Sequence, residues 1–391
     1  MKKISACLLL LLLSILLTSC WDRSEIEEIG FVLGVSFDPP AGGDAANGLE
    51  VTHQVAIPGV EETAQEEPPG EDSFINLTAT EMTNFKVLRN LNTKTSRRLN
   101  FEHLKVLIIN RKLLEEGYME EILDFFIRDH EMRRRTILLI SKEKASDILQ
   151  SRPLPEKIPS QYIDFISENH PFVLPMVKRM EVGEVLERVV GRRSYLLPCI
   201  FKSEDGELIL QGGGIMHGMK NQFIDYLLDE DIEGYNWITG GAEKGIVEVK
   251  GDRTKGERFV FEIDDASSEI TYKRKNGRDH FHVKLTAEGH AAELWGHDID
   301  LSDPETVRHM SARVEEKIKK QAENIVNKMQ HEYHIDIFEM ITEIKRSNYS
   351  YWQTVRDTWD TPDGGFSKAT ITIDANVEIR HQMLIETLEK D

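Results

Sequence analysis

Cysteine is scarce in this chain: three residues of 391, Cys7, Cys20 and Cys199. Long apolar runs are scarcer still. Beyond Leu17 no stretch approaches the roughly 20 residues that a membrane-spanning helix needs. Positive charge is also in deficit, with 48 Lys and Arg against 68 Asp and Glu, a net charge of −20. So acidic a surface repels phosphate backbones, which argues against a nucleic-acid partner. What remains is the composition of a globular protein, 40% hydrophobic and 30% charged, at a length that implies two or three domains.

The one long apolar segment opens the chain. Lys2 and Lys3 supply a positive start, Ile4 to Leu17 is dominated by leucine, and small residues precede Cys20 in Leu17-Thr18-Ser19-Cys20. This is a signal peptide over residues 1–19. A membrane anchor is the competing reading, but the run is short and stops at Trp21-Asp22-Arg23. A plain secretory signal is the other alternative. The ordering of leucine, two small residues and cysteine resembles the lipobox of bacterial lipoproteins, in which cleavage leaves the cysteine first and its thiol carries diacylglyceryl through a thioether. Acyl chains contribute about 0.8 kcal/mol per buried methylene, so two of them hold a protein stably on a bilayer. Cys20 is therefore the candidate lipidation site. Loss of Lys2 and Lys3 takes the charge from −20 to −22, so the body is expected to stand off an anionic bilayer. Cys199 is left alone and without a disulfide partner, in the apolar run Tyr195 to Ile200, where a buried small hydrophobe is expected.

Periodicity divides the mature chain. Phe31 to Phe37 and Leu49 to Ile57 read as strands around a Pro-Gly turn, and the acidic stretch Glu61 to Asp72 as a loop. A helix over Thr80 to Asn92, with Met82, Phe85, Leu88 and Leu91 on one face, leads into a strand-helix-strand unit. That unit comprises Leu104 to Ile109, Lys112 to Arg128 and Thr136 to Ile140. Short helices follow at Lys144 to Gln150, Tyr162 to Glu168 and Val182 to Val190. Beyond residue 201 strands dominate: Leu208 to Gln211, Ile215 to His217, Phe223 to Leu227, Gly245 to Lys250, Phe259 to Ile263, Ser268 to Lys273 and Phe281 to Thr286. Asp303-Pro304 then starts a helix running to Tyr333, with a stripe from Val307 and Met310 to Met329. Ile371 to Ile379 alternates as a half-buried strand. The expected domains are an N-terminal α+β unit at 20–200, a strand-rich unit at 201–275 and a C-terminal α+β unit at 276–391 holding helix 303–333. The fold class is α+β, with mixed and antiparallel sheets.

Motifs for chemistry are missing. His280, His282, His290, His297, His309, His331 and His334 gather late in the chain. The spacing of His331 and His334 is not that of a zinc protease, and solvent-facing histidines are the plainer reading. Gly212-Gly213-Gly214 lacks the Lys-Ser or Lys-Thr of a phosphate loop and reads as a bend or bulge. Gly240 to Gly245 fails the same test, and no nucleophile, base and orienter set emerges. The expectation is no catalytic residue, no metal and no cofactor.

Several local sequences resemble one family. Cys20-Trp21-Asp22-Arg23 running into Ile29 to Asp38 is similar to the mature start of the Ger(x)C spore-germination lipoproteins. The similarity continues through Asn100 to Ile109, Ile122 to Asp129 and His334-Ile335-Asp336-Ile337-Phe338, and to Trp352 and Trp359. The resemblance implies a fold of three α+β domains in a row. It also implies a non-enzymatic, lipid-anchored C subunit of a nutrient germinant receptor on the outer face of the spore's inner membrane. Its partners would be A-type and B-type integral membrane subunits; whether this subunit itself binds nutrient is not implied. Of the family's functional positions, Cys20 alone carries over. The rival functions are a substrate-binding lipoprotein of a transporter, which the strand-rich second half disfavours, and a tethered hydrolase, which the missing nucleophile disfavours.

Overall fold

A computed structural model describes residues 28–42, 46, 48–57, 73–128, 132–250, 258–295 and 301–380. Cys20, the signal segment, Trp21, the acidic stretch 61 to 72 and His297 lie outside the described residues. The chain is mixed α+β, and among the described residues its strands form two sheets. The first has nine strands, ordered β3-β2-β1-β5-β6-β7-β8-β9, with β4 on the side of β1. These are β1 Ile29–Asp38, β2 Leu49–Ala56, β3 Phe74–Glu81, β4 Arg98–Asn100, β5 Val106–Asn110, β6 Ile137–Ser141, β7 Tyr195–Lys202, β8 Leu208–His217 and β9 Gln222–Leu227.

Strands β1, β4, β5, β6 and β7 are mutually parallel and form the centre. Every residue of β5 and β6 is buried, because helices cover both faces, and this is why their sequences are apolar without alternation. One face packs under α1 Asn84–Leu91, α3 Met119–Arg128 and α6 Val182–Gly191, after the short α2 Arg111–Glu115. The other lies under α4 Ala145–Leu149 and α5 Pro159–Ser167.

The second sheet is the series β10 Gly245–Lys250, β11 Arg258–Lys275, β12 Arg278–Trp295 and β13 Thr370–Ile379. Against it lie α7 Glu230–Thr239 and the long α8 Pro304–Lys328. Helix α8 begins where Asp303 accepts hydrogen bonds from the backbone N–H of Glu305 and Thr306, with Pro304 in the first turn. Met310, Val314, Ile318, Ala322 and Ile325 form its buried stripe. The helix continues as a π-helical turn over Met329–Tyr333 and stops at His334, whose φ is +60°. Helices α9 Met340–Ser347, α10 Tyr349–Val355 and α11 Gly365–Lys368 lead back to β13.

Some expected elements shift. Residues Thr80 and Glu81 end strand β3, and the helix starts after Thr83, whose hydroxyl accepts from the Lys86 N–H. Val87 and Leu91 are therefore buried, while Met82 and Phe85 face outward at 56% and 54% exposure. The helix read over 112 to 128 is broken in two at Gly117, where φ is +88°. The strands read at 208 to 211 and 215 to 217 are one strand bent through its glycines, and those at 259 to 263 and 268 to 273 are one 18-residue strand bulged near Asp264. Strand β7 runs across 200/201, and β8 and β9 extend the same sheet. The β11–β12 pair likewise spans 275/276.

Candidate functional site

Where the two sheets meet, helix α6 and the residues that follow it face the segment between α8 and α11. Between them lies a cleft of about 810 Å3. Its floor is a buried carboxylate pair. Asp336 accepts hydrogen bonds from the backbone N–H of Phe338 (3.1 Å) and Ile341 (2.9 Å) and from Trp359 Nε1 (2.9 Å). Asp360 accepts from the Asp336 N–H (3.0 Å) and from the Ser194 hydroxyl (2.6 Å). Ser194 in turn accepts from the Gly218 N–H at 2.8 Å. The chain thus crosses from one unit to the other through a hydrogen-bonded path.

Electrostatics divides the pair. Burial, and then the neighbouring Asp336 charge, push the Asp360 carboxyl up to about 7. Burial raises Asp336 as well, but its N–H donors stabilise the ionised form and pull it back. Two carboxylates at this depth share one proton, with the negative charge favoured on Asp336 and the proton on Asp360. Trp359 is held over the pair by Phe281 and Phe366. Gly365 lies so close that a Cβ there would come within 2.4 Å of the indole ring. Three residues on from Asp336, Glu339 ties the units again, by ion pairs to Arg188 (3.0 Å) and Arg193 (2.5 Å).

The cleft wall is aromatic and basic. Lys345 Nζ lies 4.9 Å and the Arg356 guanidinium 5.2 Å from the centre of the Trp352 ring. Arg134 and Arg192 line the opposite side. The arrangement offers a braced junction with a charged rim.

The residues weighed for chemistry fall elsewhere. Cys199 is buried, and desolvation drives its thiol far up, which removes the reactive thiolate. The histidines disperse. His282 bonds to Thr372 and His290 to Asp264, while His331 and His334 turn to the carbonyls of Asn327 and Gln330 in their own helix. Among the described residues no group of three His, Cys, Asp or Glu side chains comes together to hold a metal. A Cβ on Gly214 would meet Ile140 Cδ1 at 2.4 Å, so close packing of β8 explains that glycine run. No helix of the described residues is long and apolar enough to cross a membrane. Asp336, Trp352 and Trp359 were prominent in the sequence, and the structure brings them together. Ser194 and Asp360 were not, since one more carboxylate in an acidic chain carries no signal.

Two family profiles match, "Spore germination protein N-terminal domain" over residues 22–202 and "Spore germination B3/ GerAC like, C-terminal" over residues 211–383. The chain is 25% identical over 404 residues to the spore germination protein YndF of Bacillus subtilis (strain 168), covering 99% of this chain and 98% of that one. It is 23% identical over 366 residues to spore germination protein B3 of the same organism, covering 92% and 94%. A crystal structure of the GerBC protein superposes with a TM-score of 0.61 at 21% identity, covering 91% of this chain and 100% of that chain.

Proposed function

The chain belongs to the Ger(x)C family of spore germination proteins, and from that premise we propose that it is the lipid-anchored, non-enzymatic C subunit of a nutrient germinant receptor. The observation that carries the reading is the pair of family profiles, which together take in the chain from 22 to 383. The Leu17-Thr18-Ser19-Cys20 run directly before the first match supports diacylglyceryl attachment at Cys20. A protein so tethered works on the extracytoplasmic face of the spore's inner membrane. Its partners are the A-type and B-type integral membrane subunits, and its part is to dock and support them.

The two sheets differ in size, strand order and helix cover, which offers no support for the two matched lobes of a transporter's binding protein. Deletion of the gene in a spore former is the test. Germination in response to one class of nutrient should be slowed or lost, while triggers that bypass receptors act normally. Unchanged responses to every receptor-dependent nutrient, in a strain lacking related subunits, would remove the proposal.

A further inference from the structure

The net charge of −20 conceals an uneven distribution. Strands β1, β4, β5, β6 and β7 are parallel and so begin at one end of the first sheet. Arg133, Arg134 and Arg135 precede β6 there, and Arg192 precedes β7. None of these four has an ion pair among the described residues, and all are exposed. Beside them Val190 projects at 81% exposure and Ile127 at 54%.

Across the cleft the same face continues on the second unit. Arg134 and Arg192 share the cleft with Lys345, Trp352 and Arg356. Tyr349 stacks near Trp352 and is 55% exposed. Next to it, Tyr351 lies 3.5 Å beneath the Arg274 guanidinium, at the tip of the β11–β12 hairpin. That tip turns through Asn276 and Gly277, both at positive φ. It carries Lys273, Lys275 and Arg278, all exposed and without ion pairs among the described residues. The acids on this face are largely engaged. Glu339 is paired with Arg188 and Arg193, Asp357 with Arg356, and Asp279 is held by the hydroxyls of Tyr272 and Tyr351. Glu187 is exposed, as are Glu28 just before β1 and Glu102, which lines a second cleft with Arg133 and Arg135.

We propose that this face, from the arginines before β6 and β7 to the β11–β12 tip, seats on anionic phospholipid headgroups. Clustered cations, interfacial Trp and Tyr, and a few projecting aliphatic side chains are the chemistry of a bilayer surface. At physiological ionic strength charges beyond about 8 Å are screened, so the local excess of cations governs and the distant acids do not. The path of the chain agrees, and here the inference rests on the proposed lipid at Cys20. Nine residue steps lead from Cys20 to Ile29, a reach of at most about 30 Å, and Ile29 is the start of β1, level with Arg98 at this same end. The lipid would hold this end towards the bilayer, and the expectation that the body stands off is revised.

The test uses the full mature chain with Cys20→Ser, made without lipid, so that its outcome is independent of anchoring, which fractionation of the lipidated protein reads separately. It is floated with phosphatidylcholine vesicles, with and without phosphatidylglycerol. Binding is expected to the anionic vesicles only and to weaken with salt. Lys273→Gln, Lys275→Gln and Arg278→Gln together, on an exposed turn, should weaken it by roughly a hundredfold, at about a fivefold loss per cation. A bimane label on Lys275→Cys should be quenched by headgroup-borne quenchers in those vesicles. Equal binding to both vesicle types, no binding to either, or an unaffected triple variant would overturn the proposal. Photo-crosslinking from position 275 in spore membranes to an acidic protein segment instead of lipid would overturn it equally.

Discussion

Asp360 makes the protein's stability depend on pH in a direction opposite to most paired carboxylates. Its folded carboxyl titrates at about 7 against an ordinary 3.8. Between those values the folded chain holds a proton that the unfolded chain has released, so stability falls as pH rises through the window. Denaturation midpoints in urea should be higher at about pH 5 than at about pH 8, and Asp360→Asn should shrink the gap. A gap of the same size in the variant would move the effect to other groups. Trp359 is the complementary case. Trp359→Phe keeps most of the ring but removes the Nε1 donor from buried Asp336, which should cost about 1–3 kcal/mol, measurable in the same experiment. The sequence made the two tryptophans and Asp336 visible as family residues. It could not show that Trp359 Nε1 reaches Asp336, because 23 residues and two helices separate them.

At the scale of the element, long periodic segments were legible and interruptions were not. The Asp303-Pro304 start and the stripe of α8 are where the pattern placed them, since capping and amphipathicity are local properties. Strand β3 went unread because Phe74–Glu81 carries polar residues at four of its eight positions. Its ladder with β2 supplies what its side chains do not. Helix α7 was unread for a related reason: it is buried on several sides and has no clean apolar face. Its packing is set by Gly234, where a Cβ would lie 2.4 Å from the Gln321 carbonyl oxygen of α8. Gly234→Val should therefore force the helices apart and destabilise the protein by about 1–3 kcal/mol. Gly240→Ala, at a helix end with open space around the Cβ, meets only the strain of its positive φ and should cost less. If the two variants unfold at the same denaturant concentration, close approach of α7 and α8 is not what Gly234 provides.

For the whole molecule, the family was readable because its marks are short local sequences. The basic face was not, because its cations are spread from residue 133 to 356 and the net charge points the other way. Anchoring itself is tested by Cys20→Ala, which should release the protein from the membrane fraction or leave an uncleaved precursor. A processed variant that stays fully at the membrane would show that the thiol carries no lipid. The core has a further consequence. Leu174, Val177, Leu196, Ile215 and Leu227, from the first unit, are buried in one cluster with Phe259, Phe261 and Ile325 of the second. At about 1.5–3 kcal/mol for each buried side chain, those five account for a stabilisation of order 10 kcal/mol, as large as the whole stability of a typical domain. Parting the two units would lay that surface bare to water, so the two sheets are expected to unfold together as one piece.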